Sequence, residues 1–250
     1  MFKKIAMITG AGSEPDSWLP VERALKKNYD NIPSCDLNLP FANLIYQLRW
    51  LKKYSSIFNN FKNPKRAFKL KNLLEKRLNL YDNLKKDICE EIQESCLNQE
   101  LKLNNFLDVI IKDHLGNNSI VLTTNWDKLL EKKLGAYIHH IHGSIDNFDS
   151  LYLPTEVIEE NYRKPHFQRN ITGQTMHLLE NIDKLIIYGL SLSPLDIELS
   201  FILSDTFTED SPLKEINIFD KKNNIDIVEQ RLKFILKKKD ITIFKHEVPE

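Results

Sequence analysis

Six short apolar runs punctuate the chain, at residues 4–9, 119–124, 136–141, 184–190, 215–219 and 241–245. Several are continuously apolar rather than alternating with polar positions. A strand covered by helices on both faces reads this way, whereas a half-solvated antiparallel strand alternates. Helical patterns separate most of the runs. The stretch 225–237 is one, with Ile225, Val228, Leu232 and Ile235 on a single stripe. Apolar strands alternating with amphipathic helices predict the α/β class: a Rossmann-like doubly wound parallel sheet of about six strands.

Between about 41 and 115 the strand pattern lapses. This stretch reads as three helices, broken near 59–64 and again near 98–105, and predicts a helical insertion after the first strand. Its longest helix carries Leu70, Leu74, Leu78, Tyr81, Leu84, Ile88 and Ile92 at helical spacing, with Lys, Glu and Asp on the other faces. Such a stripe usually packs within its own domain, and a partner-binding face is the alternative. No internal repeat, low-complexity tract or long linker divides the chain. Residues 1–250 are therefore read as a single domain with the insertion at about 41–115.

Charge narrows the choice of partner. Lys plus Arg number 35 and Asp plus Glu number 35, so no net field recruits nucleic acid or an anionic membrane surface. The apolar runs are too short to span a bilayer, and Met1-Phe2-Lys3-Lys4 leads directly into the first strand, which predicts no signal peptide and a cytoplasmic location. The 3 cysteines, Cys35, Cys89 and Cys96, give neither a disulfide framework nor a four-thiolate zinc site. Cys89 and Cys96 fall on the long amphipathic helix, where thiols are commonly buried and structural.

Candidate chemistry collects at strand ends. The first strand runs into Gly10-Ala11-Gly12-Ser13, with a helix beginning near Pro20. Glycines in such a turn let main-chain N–H groups approach a pyrophosphate, and they also serve simply to bend the chain. The second strand ends in Thr123-Thr124-Asn125-Trp126-Asp127, which offers partners for ribose hydroxyls as well as helix caps. The third delivers His142-Gly143-Ser144. His142 is a candidate general base, with Gly143 leaving room beside it, while His139 and His140 inside the strand are structural. The fourth ends in Gly189-Leu190-Ser191-Leu192-Ser193-Pro194-Leu195-Asp196. There Gly189 permits close approach of an adenosine, and Asp196 caps the helix that follows. Asp220, at the end of the fifth, suits adenosine ribose hydroxyls or a plain turn equally.

In this order and spacing, Gly10-Ala11-Gly12-Ser13, Thr123-Thr124-Asn125-Trp126-Asp127, His142-Gly143-Ser144 and Gly189-Leu190-Ser191 resemble the sirtuin superfamily. More narrowly, the chain resembles the zinc-free, sirtuin-like NAD hydrolases of bacterial antiphage defence. The resemblance implies that the glycine turn holds the pyrophosphate and that Asn125 contacts the nicotinamide ribose. It makes His142 the base at the ribose hydroxyls or the attacking water. It sets Gly189 and Ser191 beside the adenosine ribose, with Asp127 orienting the loop that bears Asn125. Sirtuin deacylases carry a four-cysteine zinc module after His-Gly. This chain has no cysteine after Cys96, which implies no metal and favours hydrolysis over deacylation. Where sirtuins have a longer loop after the glycine turn, this chain has Glu14-Pro15-Asp16-Ser17-Trp18, and Asp16 stands in for the nicotinamide-binding aspartate.

The expected activity is that of an NAD glycohydrolase releasing nicotinamide and ADP-ribose, an NAD-depleting effector of abortive infection. A divergent deacylase or ADP-ribosyltransferase and a non-enzymatic NAD or ADP-ribose sensor are the alternatives. Because uncontrolled loss of NAD is toxic, the expected partners are further copies of the chain or a protein that senses infection.

Overall fold

The computed structural model describes residues 4–28, 38–54, 64–116, 118–156 and 167–249. Its centre is a six-stranded, all-parallel sheet: β1 (Ile5–Thr9), β2 (Ile120–Thr123), β3 (His139–His140), β4 (Lys184–Tyr188), β5 (Glu215–Asp220) and β6 (Thr242–Glu247), in the order β3-β2-β1-β4-β5-β6. That is the doubly wound Rossmann order, whose switch point lies between β1 and β4. Register aligns the strand ends there, with Thr9 opposite Thr123 on one side and Tyr188 on the other.

The continuously apolar runs are explained by cover on both faces. Ala6, Ile8, Leu185, Ile187, Ile216 and Ile218 point into a core formed with α6 (Phe167–Leu179), α7 (Ile197–Thr206) and α8 (Lys222–Ile235). Met7, Ile186, Tyr188 and Phe219 point the other way, onto α4 (Phe106–His114) and α5 (Leu129–Leu134). β1, β4 and β5 thus bury alternate residues in opposite layers, and no polar alternation is needed.

The helices between β1 and β2 build a third core. Val21, Ala24 and Leu25 of α1 (Leu19–Asn28), Phe41 and Ile45 of α2 (Asn38–Tyr54), and Leu84, Ile88 and Ile92 of α3 (Pro64–Leu97) pack together with Leu101, Leu151 and Leu153. The lower part of the predicted stripe therefore faces its own domain. Leu70, Leu74, Leu78 and Tyr81 lie outside the described side chains, as does part of the predicted break at 59–64. Burial pushes the Cys89 thiol up to about 12 and that of Cys96 to about 11, which fits structural thiols. Cys35 lies outside the described residues.

One strand departs from expectation. The run 136–141 yields only His139–His140 as ladder, and Tyr137 is 83% exposed. The chain leaves α5 through Gly135, whose φ of 60° closes the helix in the left-handed region, and reaches the sheet edge only at Ile138.

Candidate active site

Beyond the carboxyl ends of β1, β2, β4 and β5, and the loop after β3, lies a cavity of about 710 Å3, a size usual for ligand sites. Ala11, Gly12, Asp16, Thr124, Asn125, Asp127, His142, Gly189, Ser191 and Asp220 all line it, whereas Gly10 and Ser13 do not. Ten of the twelve residues singled out from the sequence thus meet at one cavity, drawn from five separate loops.

The glycines bring two of those loops into contact. Gly10 N–H donates to Tyr188 O at 3.0 Å and Gly12 N–H to Gly189 O at 2.8 Å. A Cβ on Gly12 would sit 2.9 Å from Gly189 Cα, and one on Gly189, at φ +59°, only 2.3 Å from Ser13 N. Ser13 is fully buried, its N–H and hydroxyl both on Gly10 O. The amides of Gly10, Gly12 and Ser13 are therefore already bonded within the protein and not left for a pyrophosphate. Close loop packing is what these glycines supply. Gly143 makes a similar correction: at φ +75° its missing Cβ makes room for Ser150 O, 2.1 Å from where that atom would be, and not for a substrate.

Asn125 is fixed from three sides. Its N–H donates to Thr123 Oγ1 at 3.0 Å, and Thr123 Oγ1 in turn accepts from Thr9 Oγ1 at 2.9 Å. Its backbone carbonyl meets His140 Nδ1 at 2.8 Å, and His140 Nε2 meets Glu131 Oε1 at 2.8 Å. Its side-chain Nδ2 donates to Glu14 Oε1 at 2.6 Å and to Gly10 O at 3.4 Å. With Nδ2 engaged, Oδ1 is the end left to accept from a ligand hydroxyl. His139 is likewise structural, its Nε2 2.8 Å from Thr175 Oγ1.

His142 faces Asp196 across the cavity, Nε2 to Oδ1 3.2 Å. Nε2 has no other partner, so the approach is that of an ion pair rather than a well-directed hydrogen bond. Burial by itself lowers the basicity of His142, but the Asp196 carboxylate, aided by Glu198, outweighs it and raises the imidazole above its ordinary value. Asp196 does two things at once, since the same Oδ1 caps α7 by accepting from Leu199 N–H at 3.1 Å. A buried histidine whose proton is stabilised by a carboxylate is suited to taking a proton from water or a hydroxyl.

No family model matches the chain, and no curated protein matches it. Among solved structures it is similar to one from work on the mechanism and regulation of Sir2 enzymes, at 14% identity over 93% of this chain and 90% of that chain, with a TM-score of 0.42. Among the described residues no group of three or more His, Cys, Asp or Glu is placed to hold a metal ion, and no helix is long and apolar enough to cross a membrane.

The remaining positions divide by exposure. Asp16 is exposed at the rim with φ +65°. Ser191 uses its carbonyl to accept from Arg231 Nη1 at 2.7 Å. Asp220 is buried and its carboxyl is pushed up by that burial, although Oδ1 accepts from Lys221 N–H at 2.7 Å and Asn224 Nδ2 at 3.3 Å. Asp127 Oδ1 accepts from Leu129 N–H at 2.8 Å, tying the end of the Asn125 loop to α5.

Two cavity residues escape a sequence reading. Tyr152 sits with its ring 5.3 Å from that of His142, and its N–H donates to His142 O at 2.9 Å. Nine residues with neither strand nor α-helix separate the two, so no periodicity links them. Glu14 lies next to the glycine turn but matches no motif, and only folding shows it against Asn125.

Proposed function

We propose that the chain is an NAD glycohydrolase that cleaves the nicotinamide–ribose bond to give nicotinamide and ADP-ribose. The observation that carries this reading is the convergence of Asn125 and the His142–Asp196 pair on one cavity at the switch point of a parallel sheet, where dinucleotides bind in open α/β folds. Departure of nicotinamide leaves positive charge on the ribose. Asn125 Oδ1 fixes a ribose hydroxyl, His142 takes the proton from that hydroxyl or from the attacking water, and Asp196 stabilises the imidazolium that forms. The floor at Gly12 and Gly189 receives the phosphate and adenosine portions, with Ser191 and Asp220 toward the adenosine ribose.

The motif resemblance supports a place among the NAD-depleting effectors of antiphage defence, acting in the cytoplasm. Because unrestrained turnover would be toxic, activity is switched on by assembly, as a homo-oligomer or with a protein that senses infection. Incubation of purified chain with NAD, with and without an acetylated peptide, tests the reaction. Release of nicotinamide and ADP-ribose without peptide is expected. Turnover that strictly requires the peptide and yields acetyl-ADP-ribose would replace hydrolysis by deacylation, and tight binding of intact NAD would point to a sensor. Native mass measurement checks the assembly, and a fully active monomer would contradict it.

A further inference from the structure

The strand that delivers His142 carries another histidine two positions earlier, and that ring is bonded at both nitrogens. His140 is 8% exposed. Its Nδ1 lies 2.8 Å from the Asn125 carbonyl oxygen and its Nε2 2.8 Å from Glu131 Oε1. A backbone carbonyl only accepts, so Nδ1 must donate. Glu131 Oε1 already accepts from the Lys128 ammonium at 2.9 Å, so Nε2 must donate as well. A neutral imidazole has one N–H to give. Both bonds are complete only when the ring carries two, that is, as an imidazolium.

A cation this deep needs a counter-charge. Glu131 supplies it: burial pushes its carboxyl up, but the bonds from Lys128 and His140 outweigh burial and hold it below the usual carboxylate range. Lys128 Nζ in turn reaches Asp146 Oδ2 at 2.8 Å, in the turn after His142-Gly143-Ser144. Cation and anion alternate through His140, Glu131, Lys128 and Asp146, so the network carries no net charge. A further titratable neighbour, His139, has its own Nε2 on Thr175 Oγ1. The network joins the two loops that face the cavity, and backbone bonds run beside it, Ile141 N–H to Thr123 O at 2.8 Å and Ile145 N–H to Trp126 O at 2.9 Å.

We infer that His140 is a positioning residue, whose imidazolium clamps the Asn125 carbonyl and so sets the Asn125 side chain, and whose loss of one proton slackens that loop. This rests on the NAD-cleaving reading given above and adds a control on the same site. A neutral ring keeps one N–H and can serve Asn125 or Glu131, not both. His142, a base, becomes competent as pH rises, whereas His140 works only while charged. Activity therefore passes through a maximum and falls again on the alkaline side.

Two near-isosteric variants separate the ring's two bonds. His140→Asn places an amide donor near the position of Nδ1 and keeps the Asn125 carbonyl bonded without a titrating group. His140→Gln reaches toward Glu131 and leaves that carbonyl without its donor. Nicotinamide release from NAD is followed across pH for the full chain and both variants, with circular dichroism to verify folding. Nitrogen NMR of the wild-type histidine rings reports which nitrogens carry protons. Near neutral pH both nitrogens of His140 are expected to be protonated. The wild-type rate falls at alkaline pH as one proton leaves. His140→Asn keeps the plateau rate within about threefold and loses the alkaline fall, whereas His140→Gln loses about tenfold. A His140 ring that is neutral near neutral pH, an alkaline fall that persists in His140→Asn, or equal rates in the two folded variants overturns the proposal and leaves the reaction standing. If the wild type releases no nicotinamide, the NAD-cleaving reading falls and the positioning role with it, while the nitrogen spectra still decide the charge of His140.

Discussion

Replacing Asp196 by Asn separates the two functions that one carboxylate performs. Asn is as good an N-cap as Asp, so Leu199 N–H keeps its acceptor, while the charge that stabilises a proton on His142 is removed. At 3.2 Å and an effective dielectric near 20, that charge is worth about 5 kcal/mol to the imidazolium. Burial opposes it and would then stand against Glu198 alone, so His142 is expected to drop below the ordinary histidine value. If about 1.4 kcal/mol of the pairing is expressed in the transition state, the plateau rate falls roughly tenfold. The direction in pH follows from the raised value. The wild-type base becomes competent only as pH rises through it, so in Asp196→Asn the acid limb moves to lower pH while the plateau drops. The assay is chromatographic release of nicotinamide over roughly pH 5 to 9, the range in which histidine changes charge, alongside thermal denaturation. Asp196→Ala, which loses the cap as well, should cost about 1 kcal/mol of stability and lower Tm by about 2–4 °C. An acid limb that stays in place in Asp196→Asn would refute the pairing. A loss of Tm in Asn equal to that in Ala would show that the residue's charge, not its capping oxygen, stabilises α7.

Three further outcomes test the framework around the site. Gly189→Ala sets a methyl group 2.3 Å from Ser13 N in a left-handed conformation, and is expected to cost about 3 kcal/mol or more in urea unfolding and to abolish ADP-ribose binding. Lys85, 7% exposed, donates to Leu151 O at 2.6 Å and pairs with Glu156 at 3.0 Å, anchoring the loop that carries Tyr152 to α3. Lys85→Met should destabilise by about 3–5 kcal/mol in the same assay, and a neutral result would show that the loop is held by its apolar contacts. His114 and His246, with ring centroids 5.5 Å apart, are both lowered, first by burial and then by Lys184 for His114, and by His114 and Lys184 for His246. They stay neutral in the fold while the unfolded chain takes up protons below about 6.5, so stability falls as pH drops through that value. His246→Gln, retaining a donor for Asn217, should make the fall in urea midpoint shallower.

The sheet was legible because burial on both faces removes polar alternation from its strands, and β1, β2, β4 and β5 lie within two residues of their apolar runs. β3 was over-read, since apolar residues near an edge need not join the ladder. Candidate site residues were legible where chemistry sits at a strand end, as with Asn125 and His142. Their supports were not: Glu14 and Tyr152 reach the cavity through loops whose course no spacing encodes. Asp196 was readable as a cap from its position before α7, but its second partner, 54 residues away in the chain, is visible only in the fold. The sequence suggests that Gly10 and Gly12 open the turn to a pyrophosphate, whereas the fold uses them to pack one loop on another. Positions 10 and 12 are small because they face Gly189, a contact between two loops 177 residues apart in sequence.

The most direct test is the initial rate of nicotinamide release from NAD by the assembled chain, compared with His142→Ala and Asn125→Ala variants shown by circular dichroism to be folded. Release by the wild type and a loss of about 10²-fold or more in His142→Ala is expected, the range for removing a general base, with a comparable loss in Asn125→Ala. Folded variants that turn over NAD at the wild-type rate would contradict the assignment of this cavity as the reacting centre.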